Sequence, residues 1–256
     1  MTMLKTGTIL TELYERVKLK AISRKVIDLR IGLGYIGVRL DNDATGIAAV
    51  LLSVPPYGCT VLPAAGSFTG SSAADLLKFL VTRKNSLEIA IGLATANALI
   101  EPPSPDAVDD REATTYLNLQ KGVKVAMVGL FAPLVARIQA TGAELTIIER
   151  NPARMEILGD TEQKDALKSC DVAIITATTL LNNTFEETIN GLGTPRAVTI
   201  MGPSTPLLPA IFDQTPVTHL GGAIVADFAR VMQIISEGGG TPALRPHLRF
   251  VNLIKK

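Results

Sequence analysis

Hydroxyl, amide and carboxyl side chains follow four short apolar segments in the second half of this sequence. They belong to Glu149, Thr178, Asn183, Ser204, Thr205 and Asp227. Each apolar segment has the length and residue types of a buried β-strand. Parallel sheets bind ligands outside the carboxyl ends of their strands, so these side chains could form hydrogen bonds with a small molecule. Ordinary loop polarity and helix capping explain the same residue types, and the sequence leaves these interpretations open.

The most distinctive of these segments is Gly202-Pro203-Ser204-Thr205-Pro206. A serine or threonine just before a proline is typical of a helix N-terminus, with the proline in the first turn. We therefore predict that Ser204 or Thr205 caps a helix here. The free N–H groups of its first turn could bind an anion, and a cap without an anion fits the pattern equally well.

Residues 123–151 have the pattern of strand, turn, helix and strand, the first unit of a doubly wound sheet. A dinucleotide site needs G-x-G-x-x-G in the turn, where glycines let the backbone approach the pyrophosphate. This turn has Gly129 alone, and Phe131 stands where the second glycine would be. Glu149, after the second strand, could bind ribose hydroxyls or be an exposed carboxylate. Binding of NAD(P) or S-adenosylmethionine is therefore the less favoured hypothesis.

The first hundred residues show a helix, three strands and, after a loop, two further helices. The last helix is apolar nearly all round, which predicts burial between layers. Asn97 is the polar exception in this helix. It is either a buried amide whose hydrogen bonds are made within the protein or a residue that contacts a ligand. Residues 101–122, with three prolines and a run of acids, are typical of a linker. We predict an α+β domain at 1–100, this linker, and a Rossmann-like domain at 123–256.

Composition excludes several classes of function. The 25 basic and 24 acidic residues leave a net charge of +1, which provides no electrostatic footprint for nucleic acid or an anionic membrane.

The N-terminus lacks the pattern of a signal peptide and no apolar run is long enough to span a membrane, so we expect a cytoplasmic protein. Cys59, Cys170, His219 and His247 are not at metal-ligand spacing.

Several segments together resemble a known family. They are Gly34-Tyr35 to Gly46, Ala94-Thr95-Ala96-Asn97-Ala98, Val128-Gly129, Thr178 to Thr184, Met201-Gly202-Pro203-Ser204-Thr205-Pro206, and Asp227 with Glu237-Gly238-Gly239. On these segments most of the chain resembles the family named "putative heavy-metal chelation", whose members join an enolase N-terminal-like domain to a Rossmann-like domain. The resemblance implies a site at the junction of the two domains and a role in handling metals or their chelators.

We therefore predict an α/β protein with a C-terminal Rossmann-like, doubly wound parallel sheet and a smaller N-terminal α+β domain. It would bind a small anionic or metal-chelating ligand in the cleft between them, with Tyr35 and Asn97 reaching in from the N-terminal side. The expected contacts are Tyr35, Asn97, Gly129, Glu149, Thr178, Asn183, Gly202, Ser204, Thr205 and Asp227. Such oxygen and amide groups suit a hard cation or a metal chelate better than bare zinc.

Two other hypotheses remain at this level. One is an oxidoreductase or transferase that uses a nucleotide cofactor, with Glu149 on the ribose. The other is an oligomeric interaction module. The expected partner is a small-molecule or metal ligand rather than nucleic acid or a membrane, and self-association into a homo-oligomer is left open.

Overall fold

The computed structural model describes residues 3–51, 60–82, 84–104 and 113–255, and Cys59 lies outside these ranges. The N-terminal elements are α1 (Thr8–Ile22), β1 (Val26–Ile31), β2 (Tyr35–Leu40), β3 (Thr45–Ala49), α2 (Ala73–Leu77), α3 (Phe79–Thr82) and α4 (Ser86–Leu99). The three strands form an antiparallel sheet in the order β1-β2-β3. Helix α4 begins after Asn85, whose side chain accepts a hydrogen bond from the Glu88 N–H at 2.8 Å, and it is buried along most of its length, as predicted.

The C-terminal elements are β4 (Lys124–Val128), α5 (Ala132–Ala140), β5 (Glu144–Ile148), α6 (Asp160–Ser169), β6 (Val172–Thr176), α7 (Thr178–Leu181), α8 (Phe185–Gly191), β7 (Ala197–Met201), β8 (His219–Val225), α9 (Phe228–Ser236), α10 (Thr241–Leu244) and β9 (Leu248–Ile254). Their six strands form one sheet in the order β5-β4-β6-β7-β8-β9, in which β9 alone is antiparallel to its neighbour. The predicted fold class is confirmed. None of the helices in the described ranges is long and apolar enough to cross a membrane.

The helix predicted after Ser204 is wrong. Beyond β7 the chain makes a turn and then an irregular segment, and the next helical residues are a single 3₁₀ turn at Pro209–Phe212. The Thr205 N–H donates to the Gly202 carbonyl oxygen at 3.0 Å, closing the turn locally. The anion site expected at a helix N-terminus is therefore not formed at this position.

The two sheets are joined through helices on opposite faces of the small sheet. Helix α4 packs on one face of β2 and β3, and α9 from the C-terminal part packs on the other face of β1 and β2. Gly32, after β1, permits this approach, because a Cβ there would lie 2.0 Å from the Ile235 carbonyl oxygen. Helix α1 is also anchored across the junction, where the Ile9 N–H donates to buried Glu186 at 3.0 Å. One continuous hydrophobic core includes residues of α1, α4, β6 and α8, so the division into two domains stays a prediction.

Candidate functional site at the junction of the two sheets

A cavity of about 310 Å³ lies where the carboxyl ends of β7 and β8 meet the N-terminal part of the chain. Its walls are formed by β3 with the preceding turn, the end of α4, residues 100–103, the turn after β7, and the end of β8. The volume is near the lower limit for small-molecule sites. Its position outside the ends of two parallel strands is where ligands of such sheets bind.

Asn97 enters this cavity because α4 lies unusually close to β3. A Cβ at Gly46 would lie 2.2 Å from the Ala94 carbonyl oxygen, so only glycine allows this approach. The Asn97 side-chain nitrogen donates to the Ile47 carbonyl oxygen at 2.9 Å and to the Ser204 carbonyl oxygen at 3.3 Å. The Asn97 oxygen Oδ1 is buried and has no hydrogen-bond partner among the described residues. Asn97 therefore lies on the cavity wall, and its acceptor oxygen is unused by the described residues.

The turn after β7 brings a second unpaired group to the same cavity. Gly202 has a φ of 123°, and its N–H donates to the Gly221 carbonyl oxygen at 3.0 Å. Ser204 does not line the cavity; its hydroxyl accepts a hydrogen bond from the Ala49 N–H at 2.8 Å and so ties the turn to β3. Thr205 does line it, is 2% exposed, and has a buried hydroxyl without a partner in the described part of the chain.

The charges around the cavity are balanced. Asp43 and Glu101 are the charged residues of its described lining. Arg39 donates to Asp43 at 2.5 Å and Lys20 to Glu101 at 2.7 Å, so each carboxylate already has a cation beside it. The described lining contains no lysine, arginine or histidine that could neutralise an anionic ligand.

Glu149 lies at a different place, beside the turn that follows β4. Its carboxylate accepts hydrogen bonds from the N–H groups of Leu130, Arg150 and Asn151 at 2.8–3.1 Å and from the Arg154 guanidinium at 2.8 Å. Burial raises the pKa of Glu149, but these donors outweigh burial and the pKa lies below its ordinary value. Glu149 is thus not the exposed carboxylate of one sequence interpretation, since it is 8% exposed. The Leu130 N–H, which could face a pyrophosphate, is already bonded to it.

Gly129, Thr178 and Asn183 also lie away from the cavity. Gly129 has a φ of 85°, and a Cβ there would lie 2.6 Å from the Thr176 side chain. The Thr178 hydroxyl is 3.0 Å from that of Thr176, and Asn183 adopts a left-handed conformation with a φ of 57°. The Asn183 oxygen is buried without a described partner, but it is not part of the cavity lining. The structure therefore separates these three residues and Glu149 from the junction site.

Tyr35 and Asp227 border the junction without lining the cavity. The Tyr35 hydroxyl lies 2.7 Å from the Thr241 hydroxyl, and burial raises the pKa of the phenol. Asp227 caps α9 by accepting from the Arg230 N–H at 3.1 Å, as one sequence interpretation held, and lies 3.6 Å from the His247 ring nitrogen. Both therefore hold elements of the junction in place.

Direct metal ligation has no candidate cluster in the described ranges. No group of three or more histidine, cysteine, aspartate and glutamate side chains there could hold a metal ion. Cys170 is buried, and burial raises the pKa of its thiol, which disfavours the thiolate that binds metals. His219 is buried between Thr199 at 2.7 Å and Asn252 at 3.0 Å, so both its ring nitrogens are engaged.

Sequence reasoning missed the backbone contribution to the site. The cavity is lined by strand residues with small or apolar side chains, including Ile47, Ala223 and Val225. Such residues carry no chemical signal in the sequence. The one available hint was Gly46, whose missing side chain allows β3 to lie against α4.

Known proteins are similar to this chain in sequence and in structure. An uncharacterized protein of Methanocaldococcus jannaschii is 24% identical over 218 residues, covering 81% of this chain and 82% of that protein. The crystal structure of a DUF364-family protein of unknown function from Pyrococcus horikoshii matches with a TM-score of 0.82 at 21% identity, covering 96% of this chain and 100% of that one. A DUF364-family structure from Desulfitobacterium hafniense matches with a TM-score of 0.79 at 23% identity, covering 96% and 98%.

Two family matches cover most of the sequence. Residues 14–100 match DUF4213 and residues 112–254 match DUF364, and both families are described as "putative heavy-metal chelation". The second match alone spans more than half of the chain. This chain therefore belongs to the DUF364 family described as "putative heavy-metal chelation".

Proposed function

We propose that the junction cavity binds a metal ion held in a small organic chelator, rather than a bare metal ion. The observation that carries this proposal is a pair of buried polar atoms on the cavity wall, Asn97 Oδ1 and Thr205 Oγ1, which have no hydrogen-bond partner among the described residues. A buried polar group without a hydrogen bond costs free energy, and a ligand that supplies the missing partner recovers it. The family description supports metal as part of that ligand.

The chemistry of the walls favours the chelate over the free ion. A heavy-metal ion needs several thiolate, imidazole or carboxylate ligands, and the described residues offer no such cluster. A chelator satisfies the metal by itself and leaves the protein to provide hydrogen bonds and apolar contact. The balanced charges of the lining favour a complex of low net charge. The anionic ligand expected from the sequence loses its main support, because the helix N-terminus after Ser204 does not exist.

The test begins with protein purified without added metal or chelator, analysed by metal analysis and native mass spectrometry. Calorimetric titrations then compare metal ions alone, chelators alone and their complexes. Thr205→Val should weaken binding of the complex about tenfold, as expected for the loss of one well-placed hydrogen bond. Thr178→Val, outside the cavity, is the matched control and should bind as the natural protein does. The proposal would be refuted if bare metal bound as tightly as its complex with the chelator. It would also be refuted if Thr178→Val lost binding and Thr205→Val did not.

A further inference from the structure

The strand β3 presents an open edge to the cavity. In an antiparallel pair, alternate residues direct their N–H and C=O groups towards the partner strand and away from it. The Leu40 N–H bonds to the Ala44 carbonyl and the Val50 N–H to the Gly34 carbonyl, so the even-numbered residues of this segment face β2. Thr45, Ile47 and Ala49 therefore face outwards. Two of these outward groups are already used, since the Ala49 N–H donates to Ser204 and the Ile47 carbonyl accepts from Asn97.

The strand β8 presents a second open edge to the same cavity. The Ala226 N–H bonds to the His247 carbonyl and the Lys255 N–H to the Thr218 carbonyl, so the even-numbered residues of β8 face β9. Ala223 and Val225 consequently direct their N–H and C=O groups to the other side. Pairing with β7 on that side ends at Gly221, because the chain turns away after Met201.

The two edges line one cavity from opposite sheets. Thr45 and Ile47 line it on one side, and Ala223 and Val225 on the other. In the described part of the chain, no strand pairs with either edge at these residues, and no hydrogen bond from a loop or side chain reaches Ala223 or Val225. Open edges of this kind are templates for an added strand, which is a known mode of peptide recognition.

We infer that the ligand of this cavity is a short, extended, amide-bearing molecule that lies between β3 and β8 and pairs with both. The inference rests on the proposed function and defines the chelator as peptide-like. Successive amides of an extended chain point to opposite sides, so one N–H and one C=O can serve each edge. Ala223 and Val225 are two residues apart, about 6.6 Å along the strand, which matches one repeat of such a chain. The cavity of about 310 Å³ limits the ligand to a few amide units.

The charge of the walls specifies the ligand further. Because the described lining holds no free cation, an uncharged amide terminus fits better than a carboxylate. Asn97 Oδ1 adds an acceptor for a side-chain or terminal N–H, and Thr205 Oγ1 adds a group that both donates and accepts.

The register can be tested first on the protein alone, by amide hydrogen exchange followed by NMR. Gly46 and Ile224 face strand partners and should exchange slowly, whereas Ile47, Ala223 and Val225 should exchange at least about tenfold faster. Protection of Ile47, Ala223 and Val225 equal to that of Gly46 and Ile224 would overturn the inference, because it would mean that the edges are already paired.

The second experiment adds acetyl-glycyl-glycine methylamide as a neutral probe. Its binding should shift and protect the amides of Ile47, Ala223 and Val225. The fully N-methylated analogue keeps every acceptor and loses every donor, so it should bind at least about tenfold more weakly. Equal binding of the two probes, or shifts that spare these three amides, would overturn the inference.

The outcomes separate this inference from the proposed function. If metal complexes of amide-free chelators bind in the cavity while the probe does not, then strand pairing is wrong and the proposed function stands. If the probe pairs with both edges and no metal complex binds, then the cavity recognises peptide-like ligands, and the proposed binding of a metal complex is wrong. If neither binds, both proposals fail.

Discussion

Replacing Thr205 by valine should stabilise the protein and impair its ligand binding at the same time. The Thr205 side chain is 2% exposed, and its hydroxyl has no partner among the described residues. Burying a hydroxyl without a hydrogen bond costs about 1–3 kcal/mol. Valine has nearly the same shape and carries a methyl group in place of the hydroxyl. The free energy of unfolding of Thr205→Val should therefore rise by about 1–3 kcal/mol.

The matched control is Thr215→Val, in which the same chemical change should have the opposite effect. Thr215 is also buried, but its hydroxyl donates to the Phe212 carbonyl at 2.7 Å and accepts from the Val217 N–H at 3.2 Å. Valine at this position leaves the buried Val217 N–H without its acceptor. The free energy of unfolding should fall by about 1–3 kcal/mol.

Urea unfolding followed by circular dichroism measures both effects, with thermal unfolding as a second readout. For a chain of this size each kcal/mol shifts the melting temperature by roughly 2–4 °C. Opposite signs for the two variants would support an unpaired Thr205 hydroxyl. A loss of stability in Thr205→Val comparable to that of Thr215→Val would refute the reasoning, because the hydroxyl would then be hydrogen-bonded in the folded protein.

Three further predictions concern other hydrogen bonds and ionisable groups of the protein. Ser204→Ala removes the acceptor of the Ala49 N–H and should lower the free energy of unfolding by about 1 kcal/mol, measured in urea. Glu149→Gln should lower it by about 1–3 kcal/mol at pH 7. Because the folded-state pKa of Glu149 is lowered, this difference should be complete above pH 4.5 and shrink as the pH falls through the lowered pKa. Burial lowers the pKa of His219 from 6.5, so stability should fall as the pH drops below 6.5; His219→Gln should lack this slope and His247→Gln should keep it.

Much of the fold follows from local sequence patterns. The segments that form β4, β5 and β6 are short, mostly apolar and bounded by polar residues, so the local sequence pattern predicts them. The helix predicted after Ser204 or Thr205 is absent, although the Thr205 hydroxyl has no partner among the described residues. The Ser204 hydroxyl has a different role, because it accepts from Ala49, 155 residues away. No local pattern contains that information.

The candidate site was predictable only in part. Asn97 is the polar exception in an apolar helix, and Thr205 belongs to the Gly-Pro-Ser-Thr-Pro segment after a strand, so both residues stand out in the sequence. The outward-facing backbone groups of Ile47, Ala223 and Val225 depend on which residues of each strand face the partner strand. Whether the odd-numbered or the even-numbered residues face the partner strand depends on strand register, and a shift of one residue reverses it. The sequence does not determine the register, whereas a few hydrogen bonds at the strand ends in the structure do.

Because one wall of the cavity is β3 and the other is β8, ligand binding and the stability of the junction must be linked. A ligand that bonds to both edges is released when either part unfolds, so its binding free energy adds to the stability of both. At 100 times its Kd a ligand contributes about 2.7 kcal/mol, more than a single junction hydrogen bond. The linkage also runs in reverse. Ser204 does not line the cavity, yet its bond to Ala49 holds the turn against β3. Ser204→Ala should therefore weaken ligand binding without removing a ligand contact, and it should do so most for ligands that reach both edges.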